Sequence, residues 1–303
     1  HLPHPVFDAN YIMATKPALL VEVETDAGLV GLGEAAHFGG PLASTKAVIE
    51  GELRAHLVGE DPRDVERLWE QMHQRAYKHA RGGILIAAMS GIDIALWDLR
   101  GKMAGMPLWR LLGGYRRRVP AYATGGFYAE GKGIPELAAE MEGYCRHGFR
   151  AVKMKVGRNS EIEGSPLRAM AHRGVCEVSL AEDLARARAV RETIGPEVRL
   201  MVDVNGAWGV PTAVKMGRAM ESLDVYWYEE PVAPLDAASH AWLRQQLPLK
   251  IATGENLYLT HGFEPLWTHQ ACDYVMPDIL RCGGIEQTRQ ICLNAVRHGV
   301  IPS

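Results

Sequence analysis

Short apolar runs alternate with amphipathic stretches over most of the chain, from about residue 119 to its end. The apolar runs have the length of strands and lie near 119–124, 150–155, 198–203, 225–228, 249–252, 273–276 and 300–303. Helical periodicity separates them, most clearly in 136–147, 182–194 and 285–297. Alternating strands and helices predict a parallel sheet, and seven such strands favour a barrel. An open doubly wound sheet is the alternative, but Gly125-Gly126-Phe127 is too weak a glycine motif for its phosphate loop.

The first part of the chain has a different pattern. Residues 1–17 show no clear periodicity, and we expect them to be irregular. Strand character on both sides of the turn Asp26-Ala27-Gly28, in 18–25 and 29–35, predicts a hairpin. Helical patterns follow, and they lie near 44–58, 62–80 and 84–103, with a short turn of helix at 107–112. We therefore expect an α+β domain over residues 1–115 and a barrel domain over residues 116–303.

Two features depart from the alternation of strands and helices. The segment 157–180 is far longer than an ordinary strand-to-helix connection, and it leaves the strand that ends near residue 155. Connections of this length are usually functional lids or disordered segments. The sequence also ends at Ser303, inside or just after the seventh strand. The expectation is a truncated barrel domain that lacks an eighth strand.

Composition excludes several classes of protein. Hydrophobic residues make up 47% of the 303 residues, enough for a large core, and the net charge is −3 without any basic block. Nucleic acid and anionic membranes are therefore not expected partners. The five cysteines have no metal-binding spacing, which favours free thiols in a reducing compartment. No signal peptide or membrane-spanning run is present, so a cytoplasmic location is expected.

Charged residues stand where successive predicted strands end. Lys153 and Lys155 end one strand, and the acids at the following strand ends are Asp203, Glu229, Glu255 and Asp278. The four acids follow one another at intervals of 23 to 26 residues, the length of one strand, one helix and two short loops. In a barrel of such units the carboxyl ends of the strands converge on one face, where active sites lie.

The two lysines are predicted to share one side of their strand. Residues i and i+2 of a strand point to the same face, so Lys153 and Lys155 face the barrel interior and Met154 faces the helices. Two ammonium groups so close disfavour each other's charge, and a lysine brought towards neutrality can act as a general base. The alternative is that the lysines form buried ion pairs with the carboxylates.

The carboxylates predict a cation site. Asp203, Glu229 and Glu255 on one face would repel one another by roughly 4 kcal/mol per pair at 4 Å and an effective dielectric near 20. An all-oxygen set that leaves room for water and substrate favours Mg²⁺. Ordinary capping or ion-paired acids are the alternative. Only one of two adjacent residues can point inward, so Glu230 is expected to face a neighbouring loop or lysine.

Asp278, after Pro277, is offset from this set. A single carboxylate there can orient a histidine from the next strand, which would lie just past Ser303. His298 does not qualify, because it follows the helix 285–297 and precedes Gly299, and a helix end lies at the opposite face of a barrel.

These residues, together with three longer motifs, resemble the mandelate racemase / muconate lactonizing enzyme family of the enolase superfamily. The motifs are Ser90-Gly-Ile-Asp-Ile-Ala-Leu-Trp-Asp-Leu-Arg-Gly-Lys102, Pro107-Leu-Trp-Arg-Leu-Leu-Gly113 and Pro277-Asp-Ile-Leu-Arg-Cys-Gly-Gly284. The resemblance covers nearly the whole chain. It implies a modified (β/α)₇β barrel of the TIM type with an N-terminal α+β capping domain.

The resemblance also implies roles for the residues at the strand ends. Asp203, Glu229 and Glu255 match the Mg²⁺ ligands. Lys155 matches the general base of a Lys-x-Lys pair, and Lys153 matches the neighbour that binds the substrate carboxylate. Asn205 falls where the family places a residue near the substrate hydroxyl, and Asp278 matches the aspartate of the Asp–His dyad of the racemase-like subgroup. The other subgroup has a catalytic lysine there, and no lysine occurs between Ile251 and Ser303.

The expected reaction is Mg²⁺-dependent removal of the α-proton of a hydroxy-carboxylate, which gives an enediolate. Loss of a β-hydroxyl would complete the dehydration of an acid sugar, the outcome towards which family membership leans. Return of the proton on the opposite face would give racemisation. A Schiff-base aldolase and a non-catalytic fragment are the remaining alternatives. A small carboxylate is the expected partner, and a homo-oligomer is the expected assembly.

Overall fold

A computed structural model describes residues 2–36, 42–159 and 176–303. The chain divides into two compact units. Unit 1 consists of His1–Lys16, Pro120–Thr253 and Pro265–Val275, and unit 2 consists of Pro17–Val119, Gly254–Glu264 and Met276–Ser303. Among the described residues, no helix is both long enough and apolar enough to cross a membrane. All five cysteines are free thiols.

Eleven strands and ten α-helices make up the described part of the chain. The strands are β1 (Val6–Phe7), β2 (Ile12–Met13), β3 (Leu19–Glu24), β4 (Val30–Ala35), β5 (Ala123–Gly125), β6 (Ala151–Lys155), β7 (Arg199–Asp203), β8 (Val225–Glu229), β9 (Ile251–Thr253), β10 (Tyr274–Val275) and β11 (Ile301–Pro302). The helices are α1 (Leu42–Val48), α2 (Val65–Arg75), α3 (Ile84–Met103), α4 (Leu108–Leu111), α5 (Ile134–Arg146), α6 (Leu180–Ile194), α7 (Val210–Met220), α8 (Ala237–Gln246), α9 (Leu259–Thr268) and α10 (Ile285–Arg297).

The predicted parallel sheet is confirmed. Within unit 1 it has six strands, and their order in the sheet is their order in the chain, from β5 to β10. Within unit 1 the pairs from β5 to β10 are all parallel. Their register aligns Lys155 with Asp203 and Asp203 with Glu229, so three of the predicted site residues stand at one level across neighbouring strands.

The beginning of the chain differs from expectation. Residues 1–17 are not wholly irregular, because β1 and β2 pair antiparallel with Val6 opposite Met13. The helix predicted over 62–80 begins only at Val65. The reason is local: Asp61 accepts a hydrogen bond from the backbone N–H of Arg63 at 2.9 Å and so closes a turn instead of capping a helix.

The predicted hairpin and the helix predicted over 84–103 pack together in unit 2. Strands β3 and β4 pair antiparallel over their whole length. A side chain at Gly33 would place its Cβ 2.0 Å from the carbonyl oxygen of Gly91 in α3, and one at Gly31 would come within 2.1 Å of the carbonyl of Ala95. The hairpin therefore lies directly against the backbone of α3, a distance that only glycine permits.

Helix α3 also provides the N-terminal cap of α10. Ser90 Oγ accepts a hydrogen bond from the N–H of Gly283 at 2.9 Å, and Asp93 Oδ2 accepts one from the N–H of Ile285 at 2.7 Å. Between these two contacts Gly284 has φ +89°. The cap satisfies N–H groups that a helix start leaves without partners. Burial raises the pKa of Asp93 to about 7, although the bond from Ile285 opposes the rise.

We expect this aspartate to make stability depend on pH. An unfolded Asp has a pKa near 3.8, whereas Asp93 in the folded chain has one near 7. Between these values the folded state keeps a proton that the unfolded state has released, so the free energy of unfolding falls as pH rises from about 4 to about 7. The full effect is on the order of 4 kcal/mol.

Urea unfolding at pH 4.5, 6 and 8 measures this effect in the wild type and in Asp93→Asn. The amide keeps the acceptor for Ile285 but carries no charge, so the variant should lose this part of the pH slope and gain relative stability at pH 8. The repulsion from Glu286, which also raises the pKa of Asp93, disappears in the variant as well. Parallel pH profiles for the two proteins would rule out this role.

Candidate active site

Strand β6 presents its two lysines to the carboxylates of the neighbouring strands. Lys153 and Lys155 are 5% and 7% exposed. Met154 lies on the other face of the strand, where a side chain on Gly126 would come within 2.7 Å of its Cβ. The alternation predicted for β6 is therefore present, because successive side chains of a strand point to opposite faces.

Two ammonium groups and two carboxylates form a buried cluster in unit 1. Lys153 Nζ donates to Glu229 Oε1 at 2.5 Å and lies 3.5 Å from Asp203 Oδ2. Lys155 Nζ donates to the same oxygen of Asp203 and to Asn205 Oδ1 at 3.0 Å. Burial raises the pKa of Asp203, but the charges of Lys155 and Lys153 outweigh it and hold the pKa below its ordinary value. The buried ion pairs that the sequence offered as an alternative are thus present.

The other oxygen of each carboxylate is also held. Asp203 Oδ1 accepts a hydrogen bond from the N–H of Asn205 at 2.9 Å, and Glu229 Oε2 accepts one from Trp227 Nε1 at 3.0 Å. Asn205 has φ +50°, a left-handed conformation that asparagine tolerates better than most residues. These bonds fix the planes of both carboxylates. Sequence reasoning missed Trp227, although it stands two residues before Glu229 on the same face of β8.

Residues from the beginning of the chain and from both sides of β5 complete the cluster. Asn10 Nδ2 donates to the carbonyl of Asn205 at 2.6 Å. The rings of Tyr122 and Phe127 each lie 5.4 Å from a lysine Nζ, that of Lys153 and that of Lys155 respectively. Aromatic faces attract cations at this distance. No sequence signal marked these contacts, since they depend on the tertiary structure.

Glu230 lies directly after β8, and its expected orientation towards a loop or a lysine stays a prediction. It is fully buried, and its Oε1 accepts a hydrogen bond from Thr253 Oγ1 at 3.3 Å. Its φ is +39°, so the regular alternation of β8 ends at Glu229.

The other predicted site residues lie in unit 2. Glu255 follows β9 and is half-buried. Asp278 Oδ1 accepts a hydrogen bond from the N–H of Leu280 at 2.9 Å, and its Oδ2 lies 3.8 Å from Arg281 Nε. Burial raises the pKa of Asp278, with the Leu280 bond and the Arg281 charge opposing. The metal role of Glu255 and the dyad role of Asp278 stay predictions. His298 caps the C-terminus of α10, as predicted.

Asp203 and Glu229 have the chemistry that a magnesium ion requires. Both are carboxylates at adjacent strand ends, and one ammonium group lies within 3.5 Å of an oxygen of each. Hard cations select such oxygen ligands. Within residues 2–36, 42–159 and 176–303, no group of three or more His, Cys, Asp or Glu side chains is arranged around a metal position. The two residues are therefore suited to be two of the ligands of a Mg²⁺ ion, and the third ligand stays a prediction.

The long connection after β6 is described only at its ends, because residues 160–175 lie outside the described residues. Asn159 Nδ2 donates to the carbonyl of Val178 at 2.9 Å, and the N–H of Val178 donates to the carbonyl of Arg158 at 3.0 Å. The two ends of the connection are therefore paired. Helix α6 follows at Leu180, with Ser179 as its N-cap.

A parallel sheet of β/α units with lysines and carboxylates at its strand ends is the architecture of an enzyme. Two protein-family models match this chain. The model for the "Mandelate racemase / muconate lactonizing enzyme, N-terminal domain" matches residues 2–113, and the model "Enolase C-terminal domain-like" matches residues 136–301. The chain belongs to the mandelate racemase / muconate lactonizing enzyme family of the enolase superfamily.

Similar proteins act on sugar acids. The chain is 35% identical to the arabinonate dehydratase of Saccharolobus solfataricus over 270 residues, 89% of this chain and 67% of that protein. It is 34% identical to the D-galactarolactone cycloisomerase of Agrobacterium fabrum over 301 residues, 99% of this chain and 73% of that protein. A solved structure of a racemase from Streptomyces coelicolor A3(2) with bound magnesium matches with a TM-score of 0.87 and 32% identity, over 99% of this chain and 79% of that chain.

Proposed function

We propose that this protein removes the α-proton of a hydroxy-carboxylate in a Mg²⁺-dependent reaction and dehydrates an acid sugar. The observation that carries the proposal is the buried cluster at the ends of β6, β7 and β8. Lys155 Nζ contacts Asp203 and Asn205 there, and Lys153 Nζ contacts Glu229. A buried lysine beside oriented carboxylates is a candidate general base in a site that excludes water.

Each residue of the cluster has a separate task in this proposal. Lys155, in its neutral form, takes the α-proton, and the electron pair of the C–H bond moves into the substrate carboxylate to give an enediolate. Lys153 and the amide of Asn205 orient the substrate and stabilise the developing negative charge. The β-hydroxyl then takes a proton from a general acid and leaves as water, and the enol tautomerises to a 2-keto acid. Asp278 is proposed to orient the histidine of that acid.

The metal ligands proposed are Asp203 and Glu229, with Glu255 as the third on the strength of the family motif. Mg²⁺ in this position would act as a Lewis acid on the substrate carboxylate. The magnesium bound in the similar racemase structure supports the choice of metal.

Dehydration is preferred over racemisation because sugar-acid dehydratases recur among the relatives at 32–35% identity. Racemisation or epimerisation of an α-hydroxy acid is the second candidate, and the similarity to the magnesium-bound racemase favours it. Both reactions begin with removal of the α-proton and differ only in what the enediolate does next.

The test is α-proton exchange in D₂O, read by NMR, with Mg²⁺ and a panel of sugar acids and α-hydroxy acids. We expect exchange with at least one acid, loss of exchange after treatment with EDTA, and a 2-keto acid product. Product of inverted configuration would instead identify a racemase. A folded, Mg²⁺-bound protein that exchanges no α-proton would contradict the proposal and favour the non-catalytic alternative. Trapping of a substrate on lysine by borohydride would favour an aldolase.

Trp227 provides a prediction about metal affinity. Its N–H holds Glu229 Oε2, so Trp227→Phe keeps an aromatic ring but leaves that oxygen without this partner. Loss of a partner that orients a metal ligand typically weakens metal binding by about 10–100-fold. Isothermal titration of the protein with Mg²⁺, without substrate, measures the change.

Trp208→Phe is the matched control for this titration. Trp208 is also buried in unit 1 and also donates its N–H to a side chain, Asn159 Oδ1, at 2.9 Å. We expect its Mg²⁺ affinity to stay within about threefold of the wild type. Equal affinities for the two variants would show that Trp227 has no role in orienting a metal ligand.

A further inference from the structure

A buried ion pair on helix α6 holds the peptide chain where it leaves Lys155. Asp183 and Arg186 lie one helical turn apart, both buried, with Arg186 Nη1 2.9 Å from Asp183 Oδ1. Burying two charges costs more solvation energy than their attraction ordinarily returns, unless further hydrogen bonds satisfy both groups. The further bonds here converge on the backbone beside the candidate base.

Arg186 binds two carbonyl groups. Its Nη1 donates to the carbonyl of Lys155 at 3.1 Å, and its Nη2 donates to the carbonyl of Gly126 at 2.8 Å. The guanidinium carbon lies 3.9 Å from the centre of the Tyr128 ring, in contact with its face. The planar group is therefore fixed in orientation, and it joins the end of β6 to the turn after β5.

Asp183 holds the next part of the same chain. Its Oδ2 accepts hydrogen bonds from the N–H of Gly157 at 2.9 Å and from Asn159 Nδ2 at 3.0 Å. Its Oδ1 accepts one from Tyr128 Oη at 2.6 Å. The ion pair thus holds the carbonyl of Lys155 with one partner and the N–H of Gly157 with the other.

The backbone between these contacts has little freedom to relax. The N–H of Val156 donates to the carbonyl of Asp203 at 2.9 Å, so the peptide between Lys155 and Gly157 is held from a third side. Gly157 has φ +99°, and a Cβ there would come within 3.1 Å of Val204 and 3.2 Å of Ala9. The strand therefore turns sharply in a crowded place directly after the lysine.

We propose that Asp183 and Arg186 are positioning residues for Lys155, whose backbone they lock so that Nζ is aimed at the α-proton. This inference rests on the proposed function, in which Lys155 is the base. The two residues bind the carbonyl of Lys155 and the N–H of Gly157, so they act through the peptide chain. Misplacing a reacting group by about 1 Å can cost about 100-fold in rate. Loss of these backbone contacts, which we call the lock, should therefore slow proton transfer much more than it weakens substrate binding.

The test compares Arg186→Met with Arg191→Met. Arg191 lies on the same helix and, like Arg186, donates to backbone carbonyls, those of Leu223, Gly195, Val198 and Asp224. We expect Arg186→Met to lower kcat for α-proton exchange by about 100-fold while KM stays within about threefold. Arg191→Met should lose comparable stability but keep its kcat per folded molecule within about threefold. Arg186→Lys should recover part of the rate, because an ammonium group can still donate to the carbonyl of Lys155.

Amide hydrogen exchange provides a readout that does not depend on activity. In Arg186→Met, the peptide that contains Val156 and Gly157 should lose protection, whereas in Arg191→Met it should not. A kcat for Arg186→Met no lower than that of Arg191→Met, or unchanged protection of this peptide, would overturn the inference. If the wild type exchanges no α-proton, the proposed function fails, and amide protection alone then tests whether Asp183 and Arg186 hold this backbone. Lost protection of the peptide in Arg186→Met supports the lock, and unchanged protection overturns it.

Discussion

Replacement of Lys155 by methionine is expected to lower the rate of α-proton exchange by about 10²- to 10⁴-fold, the usual contribution of a general base. Methionine approximates the length of the lysine stem but has no proton acceptor of comparable basicity. The variant also removes a cation from Asp203 Oδ2, which leaves Lys153 as its charge partner at 3.5 Å. We therefore expect Mg²⁺ to bind at least as tightly as in the wild type, because less positive charge competes for that carboxylate.

The measurement is α-proton exchange in D₂O at saturating Mg²⁺, together with isothermal titration of Mg²⁺. Lys250→Met is the control, since Lys250 lies in unit 1 immediately before β9 and therefore next to the amino end of that strand. Its rate should stay within about twofold of the wild type. If Lys155→Met binds Mg²⁺ and still exchanges the proton at the rate of the control, another group is the base.

Replacement of Gly284 by alanine is expected to destabilise the protein by about 2 to 6 kcal/mol. Gly284 has φ +89° and ψ −161°, a backbone region that is nearly restricted to glycine and costs other residues roughly 1–3 kcal/mol. A Cβ there would also lie 2.2 Å from Asp93 Oδ2, and forcing an atom into such a contact costs roughly another 1–3 kcal/mol. The cap of α10 would have to shift to accommodate it.

Urea unfolding of Gly284→Ala and of the control Gly262→Ala measures this loss. Gly262 lies in α9, and a Cβ there would meet no atom within 4 Å, so alanine should be neutral or stabilise the helix by up to about 1 kcal/mol. In an Asp93→Ala background the contacts with the Asp93 carboxyl group disappear, whereas the contact with the Cβ of residue 93 at 2.6 Å remains. Part of the clash is therefore relieved, so the two substitutions should be non-additive. A loss below about 1 kcal/mol for Gly284→Ala would contradict the close contact.

The elements of the fold could be predicted because their signals are local. The apolar run of β6 and the periodicity of α10 identified both elements, and α10 was predicted with its observed bounds. A failure of prediction also has a local cause. Asp61 forms a turn with Arg63 instead of capping a helix, so the helix predicted over 62–80 begins only at Val65.

The sequence by itself determined which residues meet at the strand ends in unit 1. A parallel β/α repeat brings successive strand ends to one level, so Lys155, Asp203 and Glu229 follow from their positions in the repeat. Only the tertiary structure decided how these groups are held. Several contacts depend on side-chain directions and turns. They are the hydrogen bond from Trp227 to Glu229, the one from Asn10 to Asn205, and the contacts by which Asp183 and Arg186 hold the backbone at Lys155. Periodicity carries no information about such directions, because they are set by packing between segments distant in the chain.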